Sequence, residues 1–250
     1  MTDETPDERW ERLSQDRVDR PLPRRFYETV EVGIDLSILL DGRAVKTPLK
    51  KPLILANLGL AQAVADEWRA QTQVINPALM PLTKLANTAL DRAGPEREFM
   101  AGEVERFAAN DLVFYRAESP DRLMKLHDAQ WTPVLAWTEA ALQARFMTTH
   151  GIHHVAQEPA TIAAISAYVD RLDDFTLTAV HNLTELTGSA LIAFMLVADA
   201  ISGDAAWSAA HVDEDFQISQ WGEDFEAARR RQNRRADFDA TIRFLKLLQL

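Results

Sequence analysis

The chain of 250 residues contains no cysteine and only 9 glycines. Without cysteine the protein has no disulfide, no thiol nucleophile, no zinc ribbon and no cysteine-ligated iron–sulfur cluster. The scarcity of glycine leaves little material for loops that wrap around phosphates. The motifs GxGxxG, GxxxxGK[ST], HExxH, GxSxG and SxxK are also missing. These absences disfavour the common classes of enzyme and leave open only an enzyme without a short motif.

An excess of positive charge and long apolar runs are lacking as well. The 27 Lys and Arg residues stand against 38 Asp and Glu residues, which gives a formal net charge of −11. A chain this acidic binds phosphate backbones poorly, so we expect no nucleic-acid partner. The apolar run at 190–197 is far shorter than the roughly 20 residues that a membrane-spanning helix needs, and we expect no membrane insertion.

The N-terminal segment is charged and poor in apolar residues. We predict that residues 1–22 form a flexible charged tail. The segment has no apolar core of a secretory signal, and it is too acidic for a transit peptide. We therefore expect a cytoplasmic protein of bacterial type. The remaining composition, with 47% hydrophobic residues, is that of an ordinary globular protein.

The stretch 24–56 has the pattern of β structure. Apolar residues alternate strictly over 30–40, which is the period of a half-buried strand. The pair Asp41-Gly42 follows, and it favours a two-residue type I′ turn because both central positions need a positive φ angle. We predict a hairpin that returns along 43–47 and a third strand at 53–55.

Beyond residue 57 the apolar spacing changes to three and four residues, the period of α-helices. Asn57 is a candidate N-cap for the first helix. An apolar helix at 189–201 should be central in the fold, because it has no polar face. One long helix is predicted over 204–232.

Strands followed by helices indicate an α+β fold. We predict a small N-terminal antiparallel β-rich domain followed by a larger, mainly α-helical domain. The first, with flanking helices, is placed at 23–95, and the second, all-helical, at 96–250.

The histidines at 150, 153 and 154 form the best candidate metal site in the sequence. Zinc sites need three or four ligands in a defined geometry. In a strand, however, His153 and His154 would point to opposite faces, and no carboxylate follows until Glu158. We interpret the group as a solvated connector and expect no metal and no cofactor.

An acidic segment near the C-terminus is the best candidate for a partner-binding surface. Glu214, Gln217 and Trp221 share one helix face by their spacing. One interpretation is a solvated helix with ion pairs between successive turns. The other is a binding surface in which a tryptophan is surrounded by acidic groups. The candidate residues are Asp213, Glu214, Gln217, Trp221, Glu223 and Asp224.

Six ordered segments of the chain, spread over about 40–230, resemble the assembly chaperones of bacterial and mitochondrial F1-ATPase. The resemblance is to the factor that binds the alpha subunit. The segments are LDGRAVKTP (40–48), DEWRAQ (66–71), PLTKLANTALD (81–91), DLVFYRA (111–117), WTPVLAW (131–137) and VDEDFQISQWGED (212–224).

This resemblance implies a protein that is not an enzyme. Such a chaperone would hold free alpha subunit, shield the surface that later meets the beta subunit, and release it during hexamer assembly without using ATP itself. The resemblance gives importance to the acidic C-terminal segment, here Glu214, Trp221, Glu223 and Asp224. We expect the chaperone to act as a monomer.

Two alternatives remain open beside the assembly chaperone. A generic helical scaffold or holdase would bind many clients through a flat apolar patch. A small-molecule enzyme without a standard motif would show a deep pocket with converging polar groups and strongly shifted pKa values.

Overall fold

A computed structural model describes residues 21–249 of the protein. The fold is α+β, as the order of predicted elements indicates: a small N-terminal antiparallel sheet precedes a helical domain. Most of the predicted tail, residues 1–20, lies outside the described residues. Within the described part of the chain, no helix is long and apolar enough to cross a membrane.

The elements have the following bounds. The strands are β1 (Val30–Val32), β2 (Ile38–Leu40), β3 (Arg43–Ala44), β4 (Tyr115–Arg116) and β5 (Thr149–His150). The helices are α1 (Leu58–Arg69), α2 (Pro81–Thr88), α3 (Arg97–Ala109), α4 (Asp121–Leu142), α5 (Pro159–Val169), α6 (Asp174–Thr187), α7 (Ala190–Val197), α8 (Gly203–Ala210), α9 (Val212–Trp221) and α10 (Phe225–Leu248). A π-helical segment, Ala89–Ala93, prolongs α2.

The predicted hairpin at Asp41-Gly42 is confirmed. Both residues have positive φ angles, 48° and 73°, and Leu40 pairs with Arg43 across the turn. The three strands form an antiparallel sheet in the order β1-β2-β3. The predicted third strand at 53–55 is reduced to an isolated bridge between Ile54 and Ser37.

The prediction of one strand over 30–40 is wrong, because the chain turns back between Gly33 and Ser37. The Gly33 N–H donates to the Ser37 carbonyl oxygen at 2.8 Å. The Asp35 carboxylate accepts bonds from the Ser37 N–H and hydroxyl. Such local side-chain bonds offer the backbone an alternative to a strand. The apolar alternation is misleading here, since Ile34 lies fully exposed at the tip of the turn.

Helix α7 is central, as predicted, and residues 190–196 are all buried. The predicted long helix over 204–232 is wrong, because it is interrupted at His211 and again at Gly222 to give α8, α9 and the start of α10. The prediction of an all-helical part beyond residue 96 also needs correction, since β4 and β5 form a short parallel pair there.

Helix α10 connects the two parts of the fold. It packs against α6 in the helical part and against α1 and α2 beside the sheet. The Asn57 side chain, which caps α1 through the Leu60 N–H as predicted, also donates to the Leu247 carbonyl oxygen at 2.7 Å. The predicted domain boundary near residue 95 is therefore bridged by the last helix.

Buried carboxylates join segments that are distant in the sequence. The Glu67 carboxylate accepts bonds from the Leu82 and Thr83 N–H groups, each at 2.8 Å, and from the Thr83 hydroxyl at 2.7 Å. It thereby satisfies the free N–H groups in the first turn of α2. The Asp91 carboxylate accepts from the Thr47 hydroxyl and the Leu49 N–H. These bonds hold α2 and its π-helical extension against α1 and the β3 region.

Asp111 is a fully buried carboxyl beside the first turn of α7. One of its oxygens accepts from the Leu191 N–H at 3.1 Å, and the other accepts from the Val113 N–H at 3.3 Å. Burial raises its pKa from 3.8 to about 6, although the hydrogen bonds to the carboxylate act in the opposite direction.

The raised pKa of Asp111 predicts a pH-dependent stability. The folded protein holds this proton to a higher pH than the unfolded chain does. The resulting stabilisation is complete below about pH 4 and is lost as the pH rises through about 6. Relative to the variant Asp111→Asn, which does not titrate there, the free energy of unfolding of the wild-type protein should fall by up to about 3 kcal/mol between pH 4 and pH 7.

Urea unfolding of both proteins over this pH range measures the difference. NMR titration of the Asp111 side-chain carbon checks the pKa directly and does not depend on the variant. A stability difference that stays constant with pH, together with an ordinary pKa, would contradict the prediction.

Candidate partner-binding surface

The six candidate residues lie along α9 and in the break that follows it. Four of them belong to α9, namely Asp213, Glu214, Gln217 and Trp221, and Glu223 and Asp224 lie between α9 and α10. We call residues 213–225 the corner surface. The Gly222 N–H closes α9 by donating to the Ile218 carbonyl oxygen at 2.9 Å. The φ angle of Gly222 is +84°, a conformation that favours glycine. The Asp224 carboxylate then caps α10 by accepting from the Ala227 N–H at 2.8 Å.

Two aromatic side chains project from the corner surface. Trp221 is 80% exposed and Phe225, four residues later, is 81% exposed. Trp131, by contrast, lies in the core with its indole N–H bonded to the Ala209 carbonyl oxygen. Exposed tryptophan and phenylalanine side chains provide the large apolar contact area on which protein interfaces depend.

Phe225 is not among the predicted site residues, because a single helix over 204–232 contains no break beside it. The signal was present in the sequence, however. Gly222 is a typical residue just beyond a helix, and Asp224 is a typical N-cap of the next one. Together they predict a break that exposes the residues on either side.

Asp213 links α9 to α4. Its carboxylate lies 2.9 Å from the buried His127 Nε2. The Ala117 N–H donates to the other ring nitrogen, Nδ1, so a neutral ring carries its proton on Nε2 and donates it to Asp213. The His127 ring also stacks on Trp131. Asp213 therefore has a structural partner within the chain, although its side chain remains about half exposed.

The other polar candidates differ in how far they are engaged. Glu214 lies 3.9 Å from Arg231, whose guanidinium also bonds to Asp215. Gln217 and Glu223 are exposed and have no hydrogen-bond or ion-pair partner within residues 21–249. These two polar groups and the two exposed aromatic side chains are thus available for a partner.

The arginines that follow the corner surface mostly bind within the molecule. Arg231 is engaged by the two acidic residues of α9. Arg234 donates to the Leu186 carbonyl oxygen at 2.6 Å. Arg235 pairs with Asp204 and Asp239. These side chains fasten α10 to α6, α8 and α9 instead of forming an open basic stripe.

The histidine group lies elsewhere. His150 is in β5, and the His154 ring lies 3.3 Å from both Asn110 Oδ1 and the Tyr115 hydroxyl. Within the described residues, a different group could offer metal ligands: Glu103, His181 and Glu185 have ligand atoms within 4.8 Å of one another. His150, His153 and His154 do not belong to that group.

Comparisons with known proteins identify the family. Residues 24–139 match the family model described as ATP12 chaperone protein. The crystal structure of Atp12 from Paracoccus denitrificans is 35% identical, with 90% of this chain and 98% of that chain covered and a TM-score of 0.85. A mutant form of the same Paracoccus protein matches at 34% identity, with the same coverage and a TM-score of 0.86.

A candidate chaperone from Agrobacterium tumefaciens is 39% identical, with 94% of this chain and 90% of that chain covered and a TM-score of 0.86. The chain belongs to the ATP12 chaperone family, as the six segments predict. The family-model match ends before the corner surface begins, so the assignment of that surface depends on its own geometry.

Proposed function

We propose that this chaperone binds the unassembled alpha subunit of F1-ATPase and covers the surface that faces the beta subunit until the hexamer forms. Membership of the ATP12 chaperone family supports a role in binding a protein client. The observation that carries the proposal is the exposure of Trp221 and Phe225 on either side of the break in which Glu223 has no partner among the described residues.

The physical demands on such a chaperone fit a surface of this kind. An unassembled subunit exposes apolar interface and tends to aggregate. A chaperone that covers this interface lowers the concentration of the exposed form by mass action. It must still bind less tightly than the final partner, so that assembly displaces it. Two aromatic contacts surrounded by polar residues provide affinity without the large apolar area of a permanent interface.

Under this proposal the corner surface contacts the client through Asp213, Glu214, Gln217, Trp221, Glu223 and Asp224, with Phe225 added from the structure. The chaperone works as a monomer in the cytoplasm and needs no ATP or cofactor of its own.

The test is the refolding of denatured alpha subunit in the presence of the protein, followed by light scattering and size-exclusion chromatography. The beta subunit and an unrelated aggregation-prone protein serve as controls. Suppressed scattering with a discrete complex for alpha alone supports the proposal. Equal suppression for every protein indicates a generic holdase, and no suppression with no complex overturns the proposal.

Charge reversal at Glu223 gives a more specific prediction. Glu223→Lys should weaken client binding roughly three- to tenfold, because it replaces an exposed carboxylate that lies between the two exposed aromatic residues in the sequence. The loss should shrink at high salt, which screens exposed charges. Binding assays at two ionic strengths measure both effects.

Glu31→Lys is the matched control, since Glu31 is an exposed carboxylate on the sheet. Circular dichroism should show unchanged helix content for both variants. Equal weakening by the two substitutions would mean that net charge, and not this position, matters.

A further inference from the structure

A second candidate binding surface lies between the sheet and α2. It is an open cleft of about 710 Å³. Its walls include Val45 and Pro48 from the β3 side and Ile75 and Met80 from the segment that leads into α2. Leu49 stands at the cleft with 64% of its surface exposed. The apolar walls and the exposed leucine make this a surface onto which an apolar side chain can pack.

Two polar side chains in the wall of the cleft have unused hydrogen-bonding atoms. The Trp68 Nε1–H and the Asn87 Oδ1 are buried and have no partner among the described residues. Unpaired buried polar groups are rare in native proteins, because burial without a partner is costly. A polypeptide backbone carries the missing counterparts, a carbonyl oxygen for the indole N–H and an amide N–H for the Asn87 oxygen, once the two side chains turn toward it.

The charge at the cleft is positive, although the chain as a whole is acidic. Lys46 and Lys84 are exposed at its edge and form no ion pair within residues 21–249. The acidic groups at the cleft are already engaged: Asp91 bonds to the Thr47 hydroxyl and the Leu49 N–H, and Glu96 pairs with Arg92 at 2.8 Å. The two lysines are thus available for a carboxylate of a ligand.

We propose that this cleft binds an extended segment of the client polypeptide in which a large apolar side chain lies next to an Asp or Glu. The apolar side chain packs between Leu49 and Met80, the carboxylate meets Lys46 or Lys84, and the main chain satisfies Trp68 and Asn87. The identity of the client, the F1 alpha subunit, rests on the proposed function, while the type of segment follows from the cleft itself.

The experiment uses the full-length protein and fluorescein-labelled overlapping peptides that cover the F1 alpha subunit. Peptides of about 15 residues are long enough to cross the cleft in an extended conformation. Fluorescence anisotropy measures the affinity for the wild-type protein and for Leu49→Asp and Lys84→Glu. The matched controls are Ile152→Asp, which alters another exposed apolar residue, and Lys125→Glu, which alters an exposed lysine on α4.

We expect binding only of peptides that combine a large apolar residue with a neighbouring acidic one. Leu49→Asp and Lys84→Glu should each weaken it by roughly tenfold, while both controls bind as the wild type does. Thermal unfolding verifies that all four variants are folded. No peptide binding, binding without the apolar–acidic pattern, or equal binding by Leu49→Asp and the wild type would each overturn the proposal.

Binding of the intact alpha subunit, measured in parallel, separates this proposal from the proposed function. If the intact subunit forms a complex and the peptides do not bind at the cleft, the cleft proposal fails and the proposed function stands. If peptides bind with the expected dependence on Leu49 and Lys84 but the intact subunit forms no complex, the cleft proposal holds and the proposed function fails.

Discussion

The double substitution Trp221→Ser and Phe225→Ser should weaken binding of the alpha subunit by at least roughly 100-fold. Central aromatic side chains in an interface contribute about 2 kcal/mol or more each, and 1.4 kcal/mol corresponds to tenfold in affinity. Both residues are about four-fifths exposed in the free protein. Their replacement should therefore change the free energy of unfolding by less than about 0.5 kcal/mol.

Size-exclusion chromatography of refolded alpha subunit with the variant, together with urea unfolding of the variant alone, measures both effects. The control is Ile34→Ser with Ile152→Ser, because these two apolar residues are even more exposed and lie far from the corner surface in sequence. A comparable loss of binding in the control would show that the client responds to general surface hydrophobicity. Full binding by the double variant would contradict the assigned surface.

Glu67→Ala should lower the free energy of unfolding by about 3–5 kcal/mol, the largest stability effect that we expect from one substitution. The buried carboxylate accepts three hydrogen bonds at the start of α2. Its removal leaves the Leu82 and Thr83 N–H groups and the Thr83 hydroxyl unpaired in a buried site, and each such group costs about 1–3 kcal/mol, partly offset by relaxation. Glu67→Gln should cost less, because the amide oxygen still accepts.

Equilibrium urea unfolding of the two variants tests this prediction. Asp66→Ala is the adjacent control. Its carboxylate is two-thirds exposed and pairs with Arg69 on the same helix, so its loss should cost less than about 1 kcal/mol. If the two alanine variants were equally stable, the Glu67 carboxylate would not hold α2 in the way that its bonds indicate.

Local signals in the sequence predicted the local structure well. The pair Asp41-Gly42 requires two positive φ angles, and the hairpin forms at that place. The apolar run at 190–197 has no polar face, and α7 is buried. The strand over 30–40 failed because a period of two is also produced by two short strands and a turn. The hydrogen bonds between Asp35 and Ser37 favour the turn over a continuous strand, and a hydrophobic pattern does not reveal such bonds.

The role of the six candidate residues in binding a partner stays a prediction. They extend over α9 and the break before α10, and the sequence does not show that Asp213 reaches His127 across 86 positions of the chain. The cleft was not predicted from the sequence either, because its walls come from segments that are far apart in the chain. The resembling segments are informative about the fold instead: Glu67, Asp91 and Asp111, which belong to three of them, are buried carboxylates that join elements. A charged residue in such a segment can therefore stabilise the fold and need not contact a partner.

The bond between Asn57 and Leu247 has a consequence for how the protein is made. A ribosome that adds about 5–20 residues per second needs roughly 10 to 40 s to synthesise the stretch between these two positions. During this time the sheet and α1 have emerged, but the last turns of α10, which cover α1, have not. In the nascent chain, the part of α1 that the end of α10 later covers therefore has no contact with α10 until synthesis is almost complete.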